Sequence, residues 1–169
     1  MELFLLRHGL AVERGTPGFA NDADRPLTPQ GRRQLRKIAA AMRRMELSFD
    51  AILSSPFLRA RQTAEIVAKE LKLKNRLTFA DELQPGGNAK KLIEKLATLK
   101  PPPENILLVG HEPDLSNMIS WFVTGATGAG FVLKKGGLAK LEIKKLRAGK
   151  CATLAWLLTP RLLKSISKS

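Results

Sequence analysis

The chain holds two histidines, and each stands at the end of an apolar run: Leu3-Phe4-Leu5-Leu6-Arg7-His8-Gly9 and Ile106-Leu107-Leu108-Val109-Gly110-His111-Glu112-Pro113. A third run, Ala51-Ile52-Leu53, ends in Ser54-Ser55-Pro56 with Arg59 three residues further on. Arg7, His8, Arg59 and His111 are therefore expected at comparable places, just beyond strand ends. A guanidinium is a planar, permanently charged fork of donors suited to phosphate oxygens. A neutral imidazole beside it can act as a nucleophile and accept a phosphoryl group, splitting one difficult displacement into two steps. Phosphoryl transfer asks a protein mainly for positioning and charge stabilisation, and this inventory meets that demand.

The elements that would position these groups follow from periodicity. Each apolar run is short and unbroken, as in a strand buried on both faces of a parallel sheet. In open α/β sheets ligands bind beyond the carboxyl ends of such strands. Ala11 to Pro26, with Gly15, Pro17, Gly18 and Pro26, reads as a loop bordering the site. Thr28-Pro29 opens a helix with a hydroxyl cap and proline at its first position. Leu35, Ile38, Ala39, Met42 and Met45 form its buried stripe, leaving Arg32, Arg33, Arg36, Arg43 and Arg44 mostly on a solvated face. Ser55-Pro56 is read the same way, opening a helix to about Leu73 whose free N–H groups favour an anion. Leu77–Phe79 reads as a short strand, about 88–99 as a helix, and Leu115, Met118, Ile119 and Phe122 as the apolar side of another. The glycine-rich segment from Thr124 to Gly130 has neither phosphate-loop spacing and is read as a loop. Leu138 to Leu146 alternates apolar and charged residues and is expected to pair antiparallel with Ala152–Leu158. The fold class predicted is α/β: a three-layer α/β/α sandwich, its central sheet mostly parallel with an antiparallel edge strand. Residues 1–161 are read as one domain and 162–169 as a basic tail that frays.

Composition bounds the function classes. At 169 residues with 44% apolar content, the chain can bury roughly two-thirds of its unfolded surface. No apolar run reaches membrane-spanning length and the N-terminus lacks signal-peptide character, which places the protein in the cytoplasm. Cys151 is the only cysteine, so no intrachain disulfide and no metal site are expected. The formal charge of +14 favours acidic partners through long-range attraction. A polyanion-binding module with a vestigial site is the reading that charge alone would suggest. Aromatic content of 5% without a tyrosine, and the absence of a binding motif, argue against nucleic acid as a partner.

Arg7-His8-Gly9 resembles the RHG signature of the histidine phosphatase (phosphoglycerate mutase-like) superfamily. Ser54 to Ala64 resembles its second arginine motif, and Gly110-His111-Glu112-Pro113 its second-histidine motif. Arg25-Pro26-Leu27-Thr28 and Glu82-Leu83-Gln84-Pro85 make the pattern most similar to small SixA-type phosphohistidine phosphatases. The resemblance implies an α/β/α sandwich without metal or organic cofactor. It implies that His8 becomes phosphorylated and that Arg7, Arg59 and His111 bind the phosphoryl oxygens. Glu82 is the positional candidate for a general acid, with Asp24 and Glu112 weaker ones; Arg61 is expected to point away from the site. The expected activity is hydrolysis of phosphohistidine on a protein, such as a histidine-phosphotransfer domain. A small-molecule phosphomonoesterase of the same superfamily is the alternative, in which Glu82 would have to supply the proton. Oligomeric state is not legible.

Overall fold

The computed structural model describes residues 1–167. Six strands form one sheet in the order β3-β2-β4-β1-β5-β6: β1 (Glu2–Arg7), β2 (Ala51–Ser54), β3 (Leu77–Phe79), β4 (Asn105–Gly110), β5 (Leu138–Ile143) and β6 (Ala152–Leu158). β1, β2, β3 and β4 run parallel, β5 runs antiparallel to β1, and β6 antiparallel to β5. The helices are α1 (Pro29–Arg44), α2 (Leu58–Glu70), α3 (Ala89–Ala97), α4 (Asp114–Thr124) and α5 (Pro160–Ile166). This is the α/β sandwich expected, with a mixed sheet that is mostly parallel.

β1, β2 and β4 are buried on both faces, so alternate side chains feed two separate cores. Phe4, Leu6, Ile52, Leu107 and Val109 face α1, α2 and α5, where Leu35, Ile38, Met42, Ala60, Ala64 and Leu163 meet them. Leu3, Leu5, Leu53, Ile106 and Leu108 face α3 and α4, against Leu92, Leu96, Leu115, Ile119 and Phe122. α1 begins as its sequence dictates, with Thr28 Oγ1 accepting from the Gly31 N–H at 3.0 Å and proline in the first turn.

Register delivers the functional residues. β1 and β4 are adjacent and in step, Leu6 opposite Val109 and Arg7 opposite Gly110, while Ser54 of β2 lies opposite Val109. His8, His111 and Ser55 therefore leave three neighbouring strands at one level on one sheet edge.

Gly9 serves packing more than turning. A Cβ there would stand 2.6 Å from Leu35 Cδ1, so α1 backs directly onto the turn that carries His8. Gly136 approaches the same turn: its N–H lies 3.0 Å from the Arg7 carbonyl and 3.1 Å from that of His8, its φ is +78°, and a Cβ would meet Ile38 Cδ1 at 2.8 Å.

Two local expectations are corrected. α2 starts at Leu58 with Phe57 in the capping position, not at Ser55-Pro56; the Ser55 hydroxyl accepts the Phe57 N–H at 3.2 Å and turns toward His111. The segment read as a fraying tail forms α5, capped by Thr159, with Leu163 fully buried against α1. Arg161 lies exposed on its outside, and composition alone hides that Leu163, with Ile166 packed beside it, docks the helix on the core. Lys168 and Ser169, the last two residues of that segment, lie outside the described residues.

Leu163→Ala should therefore cost about 2–5 kcal/mol of stability in a denaturant titration. Leu162→Ala, half-exposed in the same helix, should cost under about 0.5 kcal/mol. Equal small losses would return the segment to a frayed tail.

Candidate active site

At the carboxyl ends of β1 and β4 the two imidazole rings lie 5.1 Å apart between centroids, both almost fully buried. His8 is held in one tautomer. Its Nδ1 is 2.8 Å from the Gly9 carbonyl, which only accepts, so Nδ1 carries the hydrogen. Arg59 Nε donates to His8 Nε2 at 3.3 Å, which requires a lone pair there. Burial, the Gly9 bond opposing it, and the positive surroundings of His111, Arg59 and Arg7 push the His8 imidazole down to about 3. At neutral pH its Nε2 is an unprotonated nitrogen aimed at a guanidinium.

His111 is likewise pushed down to about 3, by burial first and then by Arg59, with Asp22 opposing. Its Nε2 is 2.9 Å from Ser55 Oγ, and the ring of Phe57 stands edge-on at 5.5 Å. His111 Nδ1 and Arg7 Nε are both buried without a hydrogen-bond partner. Arg7 is anchored at its other end, where Nη1 donates to the Leu133 carbonyl at 3.0 Å. Thr63 ties α2 to the His8 turn: its hydroxyl donates to the Arg59 carbonyl at 2.7 Å and accepts the Gly9 N–H at 3.1 Å.

Arg59 is the most constrained cation. Burial lowers its pKa, and Asp22 works against that. Asp22, on a 3-10 turn at Asp22–Asp24, accepts Arg59 Nη2 on Oδ2 at 2.9 Å, and its carbonyl accepts Nη1 at 2.7 Å. These bonds fix the plane of the guanidinium so that Nε faces His8. Oδ1 accepts Arg25 Nη2 at 2.7 Å and Arg14 Nε at 3.2 Å. Burial works against the Asp22 carboxylate, yet hydrogen bonds from Arg25 and Arg59 hold it down at about 2. Sequence reasoning missed Asp22 and Ser55. Asp22 lies in a glycine- and proline-marked loop with no periodicity; its three-residue distance from Arg25 is the one available signal.

The structure thus brings Arg7, His8, Arg59 and His111 together. Arg61 lies elsewhere, half-exposed, paired with Glu65 at 2.8 Å.

The sequence signature of the histidine phosphatase superfamily (branch 1) matches residues 3–84. An uncharacterized protein of Picosynechococcus sp. is 38% identical over 143 residues, 84% of this chain and 85% of its own length. The phosphohistidine phosphatase SixA of Escherichia coli is 28% identical over 165 residues, 97% of each chain. The chain belongs to the histidine phosphatase superfamily. A solved structure of the protein histidine phosphatase SixA complexed with tungstate superposes with a TM-score of 0.82 at 26% identity. That match covers 97% of this chain and 100% of the other.

For a histidine phosphatase the source of the leaving-group proton matters, and the carboxylates differ sharply here. Glu82 lines the same cleft as His111, but its Oε2 accepts Lys95 Nζ at 2.9 Å. That bond holds the carboxyl below its usual range, ionised and without the proton an acid must give. Glu112 is half-buried and pushed up by burial, with the Ser116 hydroxyl on Oε2 and Oε1 buried without a partner. Asp24 is exposed.

Two outcomes are expected. In the unfolded chain each imidazole takes a proton near its ordinary 6.5, but in the folded protein only near 3. The unfolded state then binds more protons in that window, so stability falls as pH drops through it, by up to about 1.4 kcal/mol per pH unit for each histidine. His8→Gln should flatten this slope in urea titrations at pH 5 and 7; an unchanged slope would mean His8 is not buried neutral. Separately, Asp22→Asn keeps the shape and removes the charge. It should lower kcat/KM about ten- to a hundredfold by letting Arg59 drift. Unchanged kinetics would mean that the Asp22 carbonyl, with the Phe57 ring 5.3 Å from the guanidinium, holds Arg59 without the carboxylate.

Proposed function

We propose that the protein hydrolyses phosphohistidine on a protein substrate, with His8 as the nucleophile. The observation that carries the reading is His8 Nε2: unprotonated, fixed by the Gly9 bond, and directed at Arg59 Nε. In the first step Nε2 attacks phosphorus, a P–N bond to His8 forms, and the P–N bond to the substrate imidazole breaks. The departing nitrogen takes a proton from solvent. In the second step water attacks, the bond to His8 breaks, and inorganic phosphate leaves with His8 regenerated. Arg59 Nε, Arg7 Nε and His111 Nδ1 are the donors assigned to the phosphoryl oxygens, where charge shifts during transfer.

The state of Glu82, the positional candidate for a general acid, favours this substrate over an alkyl ester. An imidazole leaves as a stable neutral base near pH 7, whereas an alkoxide needs a strong acid. Glu82, ionised on Lys95, is poorly set for that task. The formal charge of +14, with Arg33, Arg36, Arg43 and Arg44 exposed on α1, supports an acidic partner steered by long-range attraction.

Incubation with a phosphorylated histidine-phosphotransfer domain should release phosphate, with His8→Ala inactive but folded. Arg59→Lys should lose about 10²–10³ in kcat despite its retained charge, because lysine lacks the fork. Arg61→Ala should stay within about twofold. Retention of the phosphoryl group at the protein-free rate overturns the substrate. Rapid turnover of alkyl phosphate that collapses in Glu82→Gln would assign the small-molecule alternative instead.

A further inference from the structure

Beyond His111 the site opens into a cleft of about 530 Å³ between the turn ahead of α3 and the flank of α4. Leu115, Met118 and Trp121, at three-residue steps on α4, form its floor. Trp121 is stacked on Phe122, centroids 5.6 Å apart at 20°, which gives the floor a rigid aromatic end. Both walls are pinned to that same helix. Asp114 Oδ2 accepts the Gly86 N–H at 2.9 Å, fixing a turn so tight that a Cβ at Gly87 would lie 2.1 Å from the Glu82 carbonyl. At the other end the buried Ser120 hydroxyl donates to the Ala126 carbonyl at 2.6 Å and accepts the Ala129 N–H at 2.9 Å. These bonds shape the glycine-rich loop, and its Thr127 forms the far wall. The segment that lacks phosphate-loop spacing has this other use.

His111 lines both the phosphoryl site and the cleft, so an occupant of the cleft is continuous with the group attached to phosphorus. The lining carries Glu82 and Asp114 against Lys90, and none of Arg7, Arg14, Arg25 or Arg59. A second phosphate would meet carboxylates there, which disfavours nucleotides and bisphosphates. The volume falls in the range that holds an organic ligand of some size, well beyond one imidazole ring. Resting on the reading under Proposed function, we propose that this cleft seats the polypeptide that flanks the phosphohistidine. An apolar side chain of the substrate lies on Trp121 and Met118, with its backbone between the Gly86 turn and Thr127. Trp121 is then a specificity-determining residue.

Trp121→Ala removes the floor, and Thr127→Trp fills the cleft from an exposed loop, so that one variant tests the idea if the other folds poorly. Phosphoramidate reaches His8 without occupying the cleft; a phosphorylated histidine-phosphotransfer domain has to occupy it. In each variant KM for the phosphoprotein should rise at least about tenfold. kcat/KM for phosphoramidate should stay within about twofold. Parallel losses on both substrates, or no loss on the phosphoprotein, overturn the proposal. A wild-type enzyme that turns over phosphoramidate but spares the phosphoprotein overturns the substrate reading, and the occupant with it, before any variant is made.

Discussion

Arg59 is a permanent charge at 3% exposure, and the site depends on how that charge is neutralised. A buried guanidinium without a counter-charge costs several kcal/mol. Asp22 offsets this through two oxygens, side chain and backbone, and in doing so sets the plane of the fork. Because Asp22 also serves Arg25 and Arg14, its single negative charge is shared among three cations. The surplus positive potential falls on the two imidazoles. It adds to burial in keeping them neutral, and a neutral imidazole has the lone pair that the proposed first step requires. One under-compensated ion pair thus couples the stability of the pocket to the protonation state of His8 and His111.

The sheet does the remaining positioning. Three parallel strands end level, and each hands over to the site within a residue or two: Arg7-His8, Ser54-Ser55, Gly110-His111. Side chains mounted this way inherit the rigidity of the central strands, which suits a reaction that relies on fixed donors more than on motion. Second contacts then lock each one. Thr63 joins the His8 turn to α2, Leu133 holds the far end of Arg7, and Gly136 lets the neighbouring loop close on the main chain.

Much of this is legible in the residues. β1, β2 and β4 announce themselves because a strand buried on both faces must be apolar throughout. His8 and His111 stand out because each ends such a run. Asp22 and Ser55 are not legible as site residues, since their importance comes from contacts with residues 37 and 56 positions away, which leave no local pattern. α5 escapes a sequence reading for a related reason: its stability rests on Leu163 packing against α1, while its own seven residues are short and partly cationic. Glu82 has the right neighbourhood by position, but its partner Lys95 lies well along the next helix.

The central place of β1 also shapes how the chain assembles. The second residue pairs with Asn105 on one side and Glu142 on the other, so the strand that leads into His8 finds neither neighbour until more than about a hundred further residues exist. During synthesis a strand with four consecutive apolar residues, Leu3 to Leu6, therefore waits unpaired while α1, β2 and α2 are made. Such a segment is a hazard for intermolecular strand pairing, and shielding by a chaperone matters most in that interval. A topology that levels three strand ends for catalysis thus leaves the newborn chain exposed longest at the very strand it is built around.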